Sequence, residues 1–365
     1  VFLAGEGAAR AFQDTVLLCD ARLDEREALA SRLSRDFALP AEAEDADIVA
    51  CGYRHLGEDW LEGLVGDFAV AVWSPGPRRL TLASSQLATR ALFFVSQDGV
   101  FAFASTLRAL LALPFVSRDL DDGTICRVLS FDGSGPAEST YYAAVRRLPA
   151  AHRLILDQGR LSVEAIPSAL STPSAPTVAV RGDAAETARG LLIEAVECRM
   201  RSGGTIAVHL SGGLDSSAIA CIAARRLKQQ GRRLIALCSV LPEGHVGPES
   251  DERAFINAVL DQEDNIDPVW VEAPPDCDPF GALPRWFDCL GEPSYSNVTH
   301  AEELLGEAGR THGVDVVLSG FGGDFFLSAA TMPLPAALLL RGRWGAAAAE
   351  LLHLSRAAGA PGWPR

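Results

Sequence analysis

Ser211-Gly212-Gly213-Leu214-Asp215-Ser216-Ser217 is the stretch of this chain best suited to chemistry. Paired glycines let a backbone approach a phosphate without Cβ collisions, while N–H groups at a helix start and the hydroxyls of Ser211, Ser216 and Ser217 can donate to its oxygens. A pyrophosphate fits such a nest. No GxxxxGK[ST] string occurs, so the loop lacks the lysine that stabilises γ-phosphate transfer, and the pattern points to cleavage between the α and β phosphates. The plain alternative is a strand-to-helix turn capped by Ser and Gly. At average composition, chance places five such fixed positions in a chain of this length on the order of one time in a few thousand. A second glycine-rich, polar stretch, Ser319 to Asp324, lies about a hundred residues further on.

Both stretches need elements that place them side by side. From residue 206 onward the pattern alternates strand and helix. Ile206–Leu210 reads as a strand, Ser217–Gln229 as a helix with Ile219, Ile222 and Ala223 on one face, and Leu234–Val240 as a strand. Asp251–Leu260 (helix), Pro268–Val271 (strand), Ala301–Thr311 (helix) and Val314–Leu318 (strand) continue the series. Such alternation predicts a doubly wound parallel sheet of the α/β class, whose ligands bind at the carboxyl ends of the strands, so that both polar stretches face one crevice.

The first part of the chain differs. Short strand signals at Thr15–Cys19, Asp67–Trp73, Leu80–Ala83, Ala91–Val95 and Val100–Ala104 are separated by turn formers, with helical stretches at Leu23–Leu33 and Ala46–Leu64. This predicts an α+β antiparallel-sheet domain over residues 1–165. A Pro/Ser/Thr/Ala-rich linker follows over 166–181, and the α/β domain occupies 182–365.

The 365 residues carry a formal net charge of -15, which opposes a nucleic-acid partner. No apolar run is long enough to cross a bilayer, and the first nine residues contain Glu6 and lack a basic region, so the expectation is a cytoplasmic protein without a membrane partner. The eight cysteines form no CxxC pair, and most read as small core residues. A start at Val1 and an end soon after Pro-Gly-Trp-Pro suggest a fragment.

The SGGLDSS loop resembles the pyrophosphate-binding motif of the N-type ATP pyrophosphatases, specifically the asparagine synthetase family, which includes β-lactam synthetases and lasso peptide cyclases. Leu318-Ser319-Gly320-Phe321-Gly322-Gly323-Asp324 is similar to that family's LSGxGxDE segment. More loosely, Gly66–Trp73, Leu80–Ala83, Phe103–Leu110 and Tyr141–Leu154 resemble its glutaminase-type (Ntn) domain. The resemblance implies ATP and Mg²⁺ as cofactors, with Asp215 and Asp324 holding the metal against the phosphates. That agrees with the preference of Mg²⁺ for a few carboxylate oxygens beside phosphate and water. It also implies that His209, Ser239, Ser319 and Gly320 line the nucleotide, though for His209 a satisfied histidine at a strand end is an equal reading. The family's catalytic lysine falls further along than Arg365.

Departures from the family narrow the chemistry. Cys19-Asp20-Ala21-Arg22 stands where an Asn-Gly-Glu turn holds glutamine, so the ammonia-releasing site looks lost; Asp45 remains at the position that holds the glutamine amino group. Ser84 to Arg90 lacks the family's Arg-Asp pair and Gly. Phe321 replaces a Glu, and Phe325 follows Asp324 where Glu is usual. Glu292-Pro293-Ser294-Tyr295 reads either as an edge of the acceptor pocket or as a surface turn. The resulting expectation is an ATP-dependent amide- or lactam-forming ligase, similar to lasso peptide cyclases or β-lactam synthetases. It would act on a small-molecule or peptide carboxylate, with a precursor peptide as a partner. The alternatives are a glutamine-hydrolysing asparagine synthetase and, from another class, a scaffold that kept only the fold.

Overall fold

Along Thr15–Leu23 the odd-numbered side chains Leu17, Cys19 and Leu23 are buried to one side, while Leu18 packs on the other, as the two-residue period of a strand requires. The computed structural model describes residues 8–12, 14–40, 42–130, 135–167, 183–201, 203–242, 244, 251–274, 277–293, 299–323 and 333–357. Contacts divide the chain into one unit of Val1–Cys198 with Asp276–His300 and another of Arg199–Pro275 with Ala301–Arg365.

In the first unit, β1 (Ala8–Phe12), β2 (Thr15–Leu23), β3 (Gly66–Ser74), β4 (Arg79–Ser84), β8 (His152–Asp157) and β9 (Arg160–Ala165) form an antiparallel sheet in the order β1-β2-β3-β4-β8-β9. Leu29 and Leu33 of α1 (Arg26–Ser34) and Ile48 and Val49 of α2 (Asp45–Leu56) cover one face, with Trp60 and Leu61 of the following 3-10 helix. The other face, Ala71, Leu80, Leu82 and Leu154, packs against Phe94, Phe101 and Phe103 of a second antiparallel sheet. That sheet is β6-β5-β7, from β5 (Phe93–Gln97), β6 (Val100–Ala104) and β7 (Arg146–Arg147). Its far side, Phe93, Val95 and Val145, meets Leu107 and Leu110 of α3 (Leu107–Leu111), which α4 (Asp122–Leu129) follows along the chain. The result is helices, sheet, sheet, helices, the α+β layering expected.

Two elements group differently from the expected boundary at 182. Most of α5 (Ala184–Arg199) belongs to the first unit, where the Cys198 thiol donates to Asp24 Oδ1 at 3.1 Å. The segment 276–300, with α8 (Leu283–Leu290), also belongs there. Gly291 caps α8 in the left-handed region (φ 79°), and a Cβ on it would stand 3.0 Å from Cβ of Leu107. Glu292 then pairs with Arg147 at 2.6 Å. Residues 168–182, most of the expected linker, lie outside the described residues.

The second unit has a parallel sheet in the order β12-β11-β10-β13, from β10 (Ile206–His209), β11 (Leu234–Val240), β12 (Ile266–Glu272) and β13 (Val316–Leu318). Helix α6 (Leu214–Gln229) buries Ala220, Ala223, Ala224 and Leu227, the i, i+3, i+4, i+7 stripe. This corrects the expected face. Small alanines let the helix lie close to β10 and β11, and Ile219 and Ile222 fall to its flanks, half-exposed. Helix α9 (Thr299–Thr311) brings Leu305 and Ala308 against Ala207 and Leu237. Among the described residues, no helix is long and apolar enough to cross a membrane.

Candidate active site

The strand order of the second unit reverses between β10 and β13, which are direct parallel neighbours with Val208 opposite Leu318. In an open α/β sheet, the carboxyl ends of such a pair diverge into the crevice that takes ligands. Ser211–Gly213 follows β10, and Ser319–Gly323 follows β13.

The first loop is held by its own hydroxyls. Ser216, buried in the first turn of α6, donates to the Gly213 carbonyl at 3.2 Å, lies 3.1 Å from the Ser211 hydroxyl, and accepts from the Ser211 N–H at 3.3 Å. Its hydroxyl is therefore turned inward as a brace. Of the three serine hydroxyls expected to face phosphate, this one is engaged within the loop. Ser211 is exposed and Ser217 half-buried. Gly212 has φ 80°, and a Cβ on it would lie 2.6 Å from Cβ of Phe255, so both conformation and space require glycine. Gly213 is the extended N-cap of α6, and the N–H groups of that first turn have no carbonyl partner within the helix. Asp215 lies in the same turn, where a carboxylate is favoured by the helix dipole.

The second loop closes onto the first. A Cβ on Gly320 would stand 3.0 Å from the Ser216 backbone nitrogen. One on Gly323 would collide with the Asp215 carboxylate. The Gly323 N–H donates to the Gly320 carbonyl at 3.0 Å, and the Phe321 N–H to the Ser319 hydroxyl at 3.1 Å. Ser319 is exposed and Phe321 is 94% exposed. Asp324, the second expected metal ligand, lies outside the described residues, as does Phe325. Of the two carboxylates expected to hold Mg²⁺, the described one, Asp215, lies on the loop surface with the backbone of Gly323 close against it. A single carboxylate is compatible with Mg²⁺, which needs few protein oxygens when phosphate and water supply the rest.

His209 ends β10 on the face of Ala207 and α9. Burial holds its imidazole below the ordinary value, and Glu302 in the first turn of α9 opposes that shift. Ser239 is exposed near the end of β11, two residues beyond Leu237, the partner of His209. The structure thus brings His209, Ser211–Ser217, Ser239 and Ser319–Gly320 to one rim of the sheet. Phe255 against Gly212 was not read from the sequence; only the packing of α7 (Arg253–Gln262) reveals it.

The first unit carries the expected residual glutamine position. Asp45 accepts from the Leu23 N–H at 2.7 Å and from Arg26 Nε at 2.9 Å. Arg22 binds Asp24 at 2.6 Å and Asp67, its cross-strand partner, at 2.8 Å. Thr89 also donates to Asp67, and Arg90 approaches Asp20 at 3.5 Å. Cys19 is 2% exposed, with its thiol pushed up to about 12 by burial, as a core cysteine should be. Ser84 donates to the Pro149 carbonyl at 2.6 Å, and Ser85 is buried with no hydrogen-bond partner for its hydroxyl among the described residues. Glu292, weighed as an acceptor-pocket edge, instead holds Arg147 within this unit.

The asparagine synthase family profile matches residues 187–359, and the glutamine amidotransferase domain profile matches residues 26–166. The chain is 25% identical to asparagine synthetase [glutamine-hydrolyzing] 3 of Bacillus subtilis, over 62% of this chain and 35% of that protein. It is 26% identical to amidase chry2 of Gibberella zeae, over 54% of this chain and 29% of that protein. It is 28% identical to amidase chyE of Penicillium rubens, over 52% and 28%. It therefore spans well under half the length of these relatives. With a parallel-sheet unit carrying both glycine loops and an antiparallel unit of the amidotransferase kind, the chain joins a glutamine amidotransferase domain to an asparagine synthase domain, and is similar across them to the asparagine synthetases.

Proposed function

We propose that the chain is the nucleotide-binding part of an ATP-dependent ligase that joins a carboxylate to an amine as an amide or lactam. The observation that carries this is the convergence of the β10 and β13 loops on Asp215 at the point where the strand order reverses. A carboxylate oxygen attacks the α-phosphorus of ATP, the bond from that phosphorus to the bridging oxygen breaks, and pyrophosphate leaves with the electron pair. The amine nitrogen then attacks the acyl carbon, AMP leaves with the electrons of the acyl C–O bond, and the amine proton passes to a base.

In this reading the N–H groups of the Gly213–Asp215 turn and the Ser211 hydroxyl hold the leaving pyrophosphate, which stabilises charge as it develops. Ser216 fixes the loop so that these donors need not reorganise. Asp215 and Asp324 would hold Mg²⁺, which when bound supplies positive charge against the phosphate oxygens. His209, Ser239, Ser319 and Gly320 line the adenosine end. Asp20, Arg22 and Phe321 favour a small-molecule- or peptide-modifying ligase, lasso peptide cyclase- or β-lactam synthetase-like, in which a precursor peptide is one possible carboxylate source. The name of the Bacillus subtilis relative favours a second reading, conversion of aspartate to asparagine with glutamine as nitrogen donor.

ATP–pyrophosphate exchange with a panel of carboxylates tests the proposal. Carboxylate-dependent exchange is expected. Its absence with every acid, together with no MgATP binding, would mean a scaffold that kept the fold alone.

A further inference from the structure

Three apolar side chains stand in solvent around the nucleotide loops. Phe321 is 94% exposed, Leu214 84% and Phe255 64%. Single exposed apolar residues are ordinary, but these share a location. Leu214 sits between Gly213 and Asp215 on the first turn of α6. Cβ of Phe255 lies against Gly212. Phe321 lies between Gly320, which packs on Ser216, and Gly323, which packs on Asp215, and its N–H is tied to the Ser319 hydroxyl. The backbone under each is therefore fixed by the nest itself.

We infer that Phe321, with Leu214 and Phe255, recognises an apolar group carried close to the reacting carboxylate, so that the substrate is an aromatic or large aliphatic acid rather than a small polar one. The inference rests on the ligase reading. Pyrophosphate fills the nest and adenosine runs toward Ser319 and Gly320, so the α-phosphorus falls at the mouth of the two loops, over the contact of Gly320 with the first turn of α6. A carboxylate attacking opposite the leaving group comes from the solvent side, where Phe321 projects. An aromatic ring there offers no charge or hydrogen bond to a second carboxylate or an ammonium group, and it desolvates any polar group it covers. An apolar substrate group instead removes both surfaces from water. A free acid and the carboxyl end or side chain of a peptide share this chemistry.

The test is ATP–pyrophosphate exchange by the full-length enzyme, beside direct MgATP binding. The acids are aspartate, glutamate, acetate, 3-phenylpropanoate, N-acetylphenylalanine and a dipeptide ending in phenylalanine. We expect the phenyl-bearing acids to give the highest kcat/KM, with the dipeptide separating peptide from small-molecule sources. Phe321→Ala should raise the KM of those acids about tenfold or more, the scale of a lost apolar contact, and leave the KM for ATP unchanged. Because Phe321 is exposed, the variant is expected to keep its melting temperature, and Phe321→Leu should restore part of the affinity. Exchange that is best with aspartate, or unchanged by Phe321→Ala for every acid, overturns the inference while leaving the ligase reading intact. No MgATP binding and no exchange with any acid overturns both.

Discussion

Gly323 lies so close to Asp215 that a Cβ at position 323 would stand 2.8 Å from the Asp215 Cβ and nearer still to its carboxylate. Two loops separated by about a hundred residues therefore share one surface, with a missing side chain as the space between them. Gly323→Ala must either push the carboxylate aside or displace the β13 loop. Because a displacement of about 1 Å at such a site costs on the order of a hundredfold in rate, exchange activity should fall by about that factor. MgATP affinity should weaken in parallel. Titration of MgATP binding checks this, and an affinity equal to wild type would show that Asp215 does not face the nucleotide.

Gly212 carries a different penalty. Its φ of 80° is strained for any other residue, and Cβ of Phe255 blocks the added methyl at 2.6 Å. Backbone strain of this kind costs roughly 1–3 kcal/mol. Gly212→Ala is expected to lower the stability of the unit by at least that much in urea unfolding, with loss of MgATP binding. Gly203→Ala, where no atom of the described residues crowds the added methyl, should leave stability within about 0.5 kcal/mol.

Much of this arrangement is legible in the sequence because the second unit follows local rules. Leu234–Val240 is an apolar run between turn formers, and the strand has those bounds. Helix α6 starts three residues before the expected Ser217, since Gly213 serves as N-cap and Leu214 and Asp215 enter the first turn. Strand β13 is shorter than expected because Val314 and Asp315 lead into it without ladder pairs. In the first unit, Leu23 ends β2 instead of opening α1, and Gly57 at φ 73° ends α2 at Leu56, leaving a 3-10 helix over Gly57–Gly63. The expected strands stop short of β8 and β9, although Gln158 and Gly159, both at positive φ, make their hairpin turn. No expected element covers helix α8. Its grouping with the first unit depends on contacts far away in sequence, which no local pattern reports. The Arg22–Asp67 pair likewise follows from the register of β2 on β3 rather than from either residue alone.

That register bears on glutamine. Asp45, the one position matching a glutamine ligand, already accepts hydrogen bonds from the Leu23 N–H and from Arg26. Asp45→Asn removes a charged acceptor from both. It is expected to cost about 1–3 kcal/mol of stability, seen as a lower urea midpoint, with no change in any glutamine-dependent activity. Incubating the full-length enzyme with glutamine should release no ammonia above a blank. Release that disappears in Asp45→Asn would instead return the glutamine-hydrolysing reading.

His209 makes the rim sensitive to pH. Burial holds its imidazole below the ordinary 6.5 despite the opposing charge of Glu302, so the folded chain favours the neutral ring while the unfolded chain takes up a proton near 6.5. The unfolded state then binds more protons as pH falls. Stability associated with neutral His209 is complete above about 6.5 and declines below it, toward the lower value of the folded state. Urea midpoints measured from pH 7.5 down to 5.5 should therefore fall in the wild type and stay flatter in His209→Leu, which keeps an apolar group at the strand end without a titrating one. Glu302→Gln should steepen the wild-type decline, since removing the nearby negative charge lowers the folded-state value further. Equal slopes in all three proteins would place His209 in solvent rather than under α9. If His209 also lines the adenosine, the affinity for MgATP will show the same dependence, and His209→Leu will abolish it.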